Sequence, residues 1–328
     1  MRKVTLAMVV TALVALPADA LAQSVVIEEW AVPYGGRPRD PDIDAQGRVW
    51  FVGQAGNYIA YLDPASGEFR RYEIEEGTHP HNLIVDAEGM VWYAGNRNAR
   101  IGMLNPETGQ TRIFSMPDPA ARDPHTLTFD SKGDVWFTVQ GGNFVGRLTR
   151  SSGTIDLVKV PTERARPYGI KVDSQDRAWV VLFGTNRLAM IDPKTLALTE
   201  HELPRAATRP RRLEITSDDA IWYVDYQEGY LGRFDPGTGT AQEWRTPGGA
   251  GSRPYATALD SEGRIWVFES GVTPNRLVGF DPRTGQFFAQ AELSGERNTV
   301  RHAVFHEPSG AIWFGTDTEN IGRARVVP

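Results

Sequence analysis

A tryptophan recurs every 42 to 47 residues along this chain, at Trp50, Trp92, Trp136, Trp179, Trp222, Trp266 and Trp313, each followed by an apolar or aromatic residue. A period of that length marks units that cannot bury their apolar faces alone and must stack on copies of themselves. Seven copies predict an all-β, seven-bladed propeller.

The unit can be followed residue by residue. In six copies a proline stands twelve residues before the tryptophan (Pro38, Pro80, Pro124, Pro167, Pro210, Pro254), and counting back from Trp313 gives Arg301 in the seventh. An alternating stretch such as Leu83 to Asp86 follows, the pattern of a strand with one buried face. Next comes a turn rich in Asp and Gly, as in Asp44 to Gly47 or Asp130 to Gly133, suited to a tight hairpin. The tryptophan strand comes second. A third strand carries an Ile-Gly-Arg-like element (Ile101-Gly102, Val145-Gly146-Arg147, Leu231-Gly232-Arg233, Ile321-Gly322-Arg323), and a second hairpin at Asp63, Asp235 or Asp281 leads to an outer fourth strand. Four antiparallel strands per unit make a propeller blade.

The seventh unit ends at Pro328 just after its third strand, without an outer one. The segment Val26 to Pro33 has the outer-strand pattern and precedes the first unit. It is therefore expected to complete blade seven and shut the ring, pairing two strand edges that would otherwise be open.

Residues 1–22 read as a secretory signal peptide: Arg2 and Lys3, an apolar run from Val4 to Pro17, then Ala20-Leu21-Ala22. The run is too short for a lasting bilayer anchor, so the expected location is periplasmic or secreted, with residues 23–328 as one propeller domain. Losing Arg2, Lys3 and Asp19 takes the formal charge from −6 to −7. An acidic chain is a poor nucleic-acid partner. There is no cysteine, hence no disulfide, no covalent-haem motif and no lipid-anchor cysteine. A monomer acting on a small molecule is expected, with a protein partner as the other option.

In a propeller the first strand of each blade lines the central channel, so the residue after each repeat proline should face a common point. By that count the ring is Arg39, His81, His125, Tyr168, Arg211, Tyr255 and His302. Three of the chain's six histidines fall there, where random placement would put well under one. Wet positions tolerate any polar residue, but tolerance alone would favour Ser, Thr and Asn. His302, His125 and His81 are therefore candidate proton-moving groups, and Arg39, Tyr168, Arg211 and Tyr255 candidate ligand-binding ones. The residues before the prolines include Arg37, Arg166, Arg209 and Arg253, which predict a positive rim suited to carboxylate, phosphate or a polarised carbonyl.

Four residues after the seventh tryptophan lies Asp317, and three after the sixth lies Glu269. A hard divalent cation, Mg²⁺ foremost, is held by a few carboxylates and waters, so these two are the candidate metal ligands. There is no Gly-x-Ser-x-Gly elbow, no Walker loop and no His-Glu-x-x-His, which removes serine-nucleophile, nucleotide and zincin chemistry from consideration.

The unit Pro124-His125 through Trp136-Phe137 to Val145-Gly146-Arg147 resembles the streptogramin B lyase (virginiamycin B lyase) family, over about residues 26 to 326. The resemblance implies a seven-bladed propeller that opens a cyclic depsipeptide ester by Mg²⁺-assisted elimination. It also implies that His302 matches the family's last-blade base and Asp317 its carboxylate, with Asp in place of Glu. Two positions depart from the pattern: Pro254-Tyr255 replaces a Pro-His, and Val300 replaces an acid. The expectation is an exported, metal-assisted enzyme that cleaves a C–O bond in an ester, lactone or related molecule, by elimination or hydrolysis. The alternative is a non-catalytic module that binds an anionic or aromatic ligand or a partner protein. A gluconolactonase-type lactonase is a weaker third option, because its Glu/Asn/Asn/Asp metal set has no match in this chain.

Overall fold

Five of the seven blades are built on the same hydrogen bond, made by the tryptophan that defines the repeat. The computed structural model describes residues 23–296 and 298–327, so the expected signal segment 1–22 lies outside it. The described residues form seven sheets of four antiparallel strands, as the repeat predicts. The repeat tryptophans are at most 2% exposed. In five blades the indole N–H donates to the aspartate six residues earlier, as in Trp50 to Asp44 at 2.7 Å and Trp266 to Asp260 at 2.8 Å. The same aspartate accepts backbone N–H groups of its hairpin, as Asp44 does from Gln46 and Arg48. One carboxylate thus fixes the turn and satisfies a buried indole.

The glycine of the Ile-Gly-Arg element has an equally local cause. Gly102 and Gly146 pair across the sheet with Tyr93 and Phe137, whose rings lie flat over them. A Cβ there would come within 2.1 Å of Tyr93 or 2.2 Å of Phe137. Where the residue after the tryptophan is aromatic, it therefore dictates a small partner, Gly or Ala, on the next strand.

Closure follows the sequence expectation. The strand Ser24–Ala31 pairs antiparallel with Asn320–Val327, from Ser24↔Val327 to Ala31↔Asn320. Trp30 stacks on Trp313 at 5.5 Å, and Arg323 donates to Glu28 at 2.6 Å. Among the described residues no helix is long and apolar enough to cross a membrane.

Blade seven breaks the count on which the channel positions were assigned. In a regular blade the repeat proline pairs with the residue three after the tryptophan, as in Pro254↔Glu269. In blade seven that partner of Thr316 is Val300, not Arg301. The first strand there runs one residue longer, Val300–His306, and enters a 3₁₀ turn at Glu307–Ser309 in place of the aspartate hairpin. Counting back from Trp313 is thus off by one, and Arg301 occupies the ring position assigned from sequence to His302.

Candidate functional site

The first strands begin at one face of the ring, here the upper mouth, and end at the other. The upper ring is Arg39, His81, His125, Tyr168, Arg211, Tyr255 and Arg301. One residue further along each strand lies a second ring: Asp40, Asn82, Thr126, Gly169, Arg212, Ala256 and His302.

The upper ring is packed tightly. The His81 and His125 rings lie 3.5 Å apart, and Tyr168 follows at 4.2 Å from His125. The hydroxyls of Tyr168 and Tyr255 meet in a hydrogen bond, and Arg211 Nη2 donates to Tyr255 Oη at 3.0 Å. The Arg211 guanidinium rests on four aromatic rings, at 3.9 Å from Tyr255, 4.3 Å from both Phe183 and Tyr226, and 5.0 Å from Tyr168. Arg301 makes a two-point pair with Asp317, at 3.1 and 2.7 Å.

Beneath this ring a charged plug crosses the channel. Asp40 is fully buried and accepts from Arg39 at 3.0 Å and from Arg212, on the far side of the ring, at 2.9 Å. Arg212 also donates to the Arg301 carbonyl and to Thr126 Oγ1, at 3.0 and 3.1 Å. Burial opposes a charge on Asp40, but Arg39 and Arg212 overrule it and hold the carboxyl well below the usual range. Sequence reasoning missed Asp40 and Arg212. The available signal was an Asp and an Arg two residues after a repeat proline, where other blades carry Asn, Thr, Gly or Ala.

Below the plug lies a chamber of about 290 Å³, lined by Asp42, Thr128, Lys171, Arg212, Glu214, Thr257 and His302 among others. His302, expected to join His81 and His125, instead stands in the second ring with Asp40 and Arg212 and lines the lower chamber. Lys171 pairs with Glu214 at 3.2 Å, Thr257 donates to Glu214 at 3.0 Å, and Asp42 accepts the Val85 N–H at 2.8 Å. Burial pushes Asp42 up to about 6, and burial together with Arg212 pushes His302 down to about 3.

Burial also lowers His81 and His125 well below the ordinary imidazole value, with Arg39 the next cause for His81 and the neighbouring His81 for His125. Both are neutral at pH 7. Burial works against ionising Tyr255, yet Arg211, Arg39, Arg301 and Arg212 outweigh it and bring the phenol down to about 8.

The two expected metal ligands are otherwise engaged. Asp317 is held by Arg301; Glu269 is fully buried and accepts from the Gly248 N–H and Arg276, at 2.7 and 2.5 Å. Glu269 thus anchors a loop. Among the described residues no group of three or more His, Asp or Glu side chains is placed to hold a metal ion. The residues present do not fit a divalent cation.

The rim arginines Arg37, Arg166 and Arg253 are exposed. They take left-handed backbone at φ 58°, 53° and 46°. Their carbonyls accept the N–H of the residue four after the tryptophan in Gln54, Phe183 and Ser270. Arg209, the fourth arginine expected at the rim, is instead half-buried and donates to the Ala206 and Thr208 carbonyls.

A model of the virginiamycin B lyase family matches residues 25–324. Among solved structures, a streptogramin B lyase is 26% identical, covers 94% of this chain and 100% of its own length, and superposes with a TM-score of 0.85. Virginiamycin B lyase from Staphylococcus aureus is 22% identical over 93% of this chain and 100% of its own, with a TM-score of 0.84. A catalytically inactive variant of that enzyme, crystallised with quinupristin, is 23% identical with the same coverage and TM-score. Comparison with curated proteins gives no match.

Proposed function

Because the chain belongs to the virginiamycin B lyase family, we propose that it is an exported lyase-type propeller that cleaves a C–O bond in a small ester, lactone or related acyl compound at its upper mouth. The observation that carries this reading is the ring itself, where the stacked pair of neutral imidazoles and the Arg211 guanidinium both pack on Tyr168. A neutral imidazole can accept a proton, and a guanidinium can stabilise the oxyanion that develops when it leaves carbon.

In an elimination, His125 or His81 takes the proton from the carbon adjacent to the one that bears the ester oxygen, a carbon made acidic by a carbonyl group of its own. The C–H electron pair becomes the new double bond, the C–O bond breaks, and the departing oxygen is reprotonated. In a hydrolysis the same base takes a proton from water as its oxygen adds to the carbonyl. His302 has no part in the chemistry because it faces the lower chamber and not the mouth.

Incubation with simple cyclic esters and mass analysis of the product tests the reading. Elimination leaves the mass unchanged while creating an unsaturated chromophore; hydrolysis adds one water. Quinupristin should be opened little or not at all, given Tyr255 and Val300 at the two departing positions. Absence of turnover on every ester, with ligand binding intact, would replace the enzyme by a binding module. The enclosure of Tyr168, Tyr255 and His125, each at most 3% exposed, favours that second reading.

A further inference from the structure

The upper ring holds more positive charge than it answers. Its three arginines, Arg39, Arg211 and Arg301, together with Arg212 of the plug, share two carboxylates: Asp40 between Arg39 and Arg212, and Asp317 on Arg301. Arg211 makes no ion pair among the described residues and is answered only by aromatic faces and the Tyr255 hydroxyl. A desolvated cation without a counter-charge is costly, so such a cluster is a standing site for an anion.

Unused donors point the same way. Arg39 Nη2 and Arg211 Nε are buried and bonded to no protein atom, as is His81 Nδ1. Arg39 is itself only 5% exposed. Arg211 donates to the Tyr255 hydroxyl, and Arg39 also favours the Tyr255 anion through space. Two spare N–H groups match the two oxygens of a carboxylate. Beside Arg211, Phe183 and Tyr226 are only half-buried and offer aromatic surface at the mouth.

We infer that the upper mouth binds the carboxylate of a small aromatic or unsaturated acid, with Arg211 and Arg39 supplying the positive charge that a divalent cation would otherwise supply. This deepens the reading above by naming the ligand class of the same mouth, but it does not depend on turnover.

Calorimetric titration with benzoate, benzamide and inorganic phosphate at pH 7 in the presence of EDTA tests it. Benzoate binds; neutral benzamide, which cannot form the charge-assisted pair, binds at least about tenfold more weakly, and phosphate, which has no ring to set against Phe183 and Tyr226, also binds more weakly than benzoate. Arg211→Gln loses benzoate binding, and Arg211→Lys recovers part of it. A second measurement needs no variant. Tyr255 is faced by Arg211, Arg39, Arg301, Arg212, Tyr168 and Tyr226. A bound carboxylate offsets those arginines, so saturating benzoate moves the tyrosinate absorbance step to higher pH. Equal binding of benzoate and benzamide, tighter binding of phosphate, a requirement for added metal, or an unmoved tyrosinate step would each overturn the inference. Benzoate binding without turnover of any ester would leave it standing and sink the catalytic reading instead.

Discussion

The two ends of the channel are made by the same seven strands yet have opposite chemistry. At the upper mouth, guanidinium groups outnumber carboxylates, and buried N–H groups stand without partners. In the lower chamber Lys171 is matched by Glu214, Asp42 is satisfied by backbone N–H groups, and His302 is neutral. Between them the Arg39–Asp40–Arg212 plug is buried and complete apart from one Arg39 N–H. A propeller thus offers two wet ends, and what makes one of them a site is uncompensated charge rather than polarity as such.

The scaffold serves both ends, so the severest perturbation should abolish the contrast. Deleting residues 24–31 removes the whole pairing with Asn320–Val327 and the Trp30–Trp313 stack. A loss of several kcal/mol in a domain of this size should lower the Tm by about 10 °C or more. Calorimetry showing a change of only a degree or two would mean that the ring closes some other way.

Removing the plug should come next. Asp40→Ala leaves Arg39 and Arg212 buried without their shared carboxylate, which should cost about 3–5 kcal/mol in chemical denaturation. Asp40→Asn should recover part of that loss. A cost below about 1 kcal/mol would show that water already screens the plug, and the two ends would then be one cavity.

Acid should act through the histidines of both ends. His302 has a folded-state value of about 3, below its unfolded 6.5. Its contribution is therefore complete above pH 6.5 and is lost as the pH falls below that value, because the unfolded chain takes the proton first. At pH 5 this amounts to about 1–2 kcal/mol for a partly buried ring. His302→Leu should flatten the fall in Tm between pH 7 and pH 5 while leaving binding at the mouth unchanged. An unchanged acid profile would show that His302 is solvated.

The smallest effect separates ligand from scaffold. Tyr255 titrates at about 8 because the arginines favour its anion. Above that pH the tyrosinate answers the charge that a ligand would answer, so carboxylate affinity should weaken a few-fold from pH 7 to pH 9, and less in Tyr255→Phe. An affinity flat across that range in the native protein would place the bound anion away from Tyr255.

Nearly all of the fold was legible because the repeat is enforced locally. The aspartate six residues before the tryptophan, the glycine opposite the aromatic that follows it, and the amino-terminal segment that supplies the missing outer strand each leave a mark in the sequence. The ring positions were legible wherever the first strand keeps its six residues, hence those of Arg39, His81, His125, Tyr168, Arg211 and Tyr255. The count failed in blade seven, where an added residue moves the register and puts Arg301 in the mouth and His302 below. The warning was there in Glu307, which stands six residues before Trp313 where five other blades have Asp. Charge compensation across the channel could not be read, since Arg212, the second partner of Asp40, lies 172 residues away in the chain.

The central claim, that function belongs to the upper mouth and His302 stands outside it, can be tested in the unaltered protein. The chain has six histidines, so imidazole ¹⁵N–¹H correlation spectra can be assigned and followed during a benzoate titration. The account predicts that the His81 and His125 resonances move to saturation while those of His302 stay fixed. A saturable shift at His302 with His81 and His125 unmoved would put the ligand in the lower chamber and contradict it.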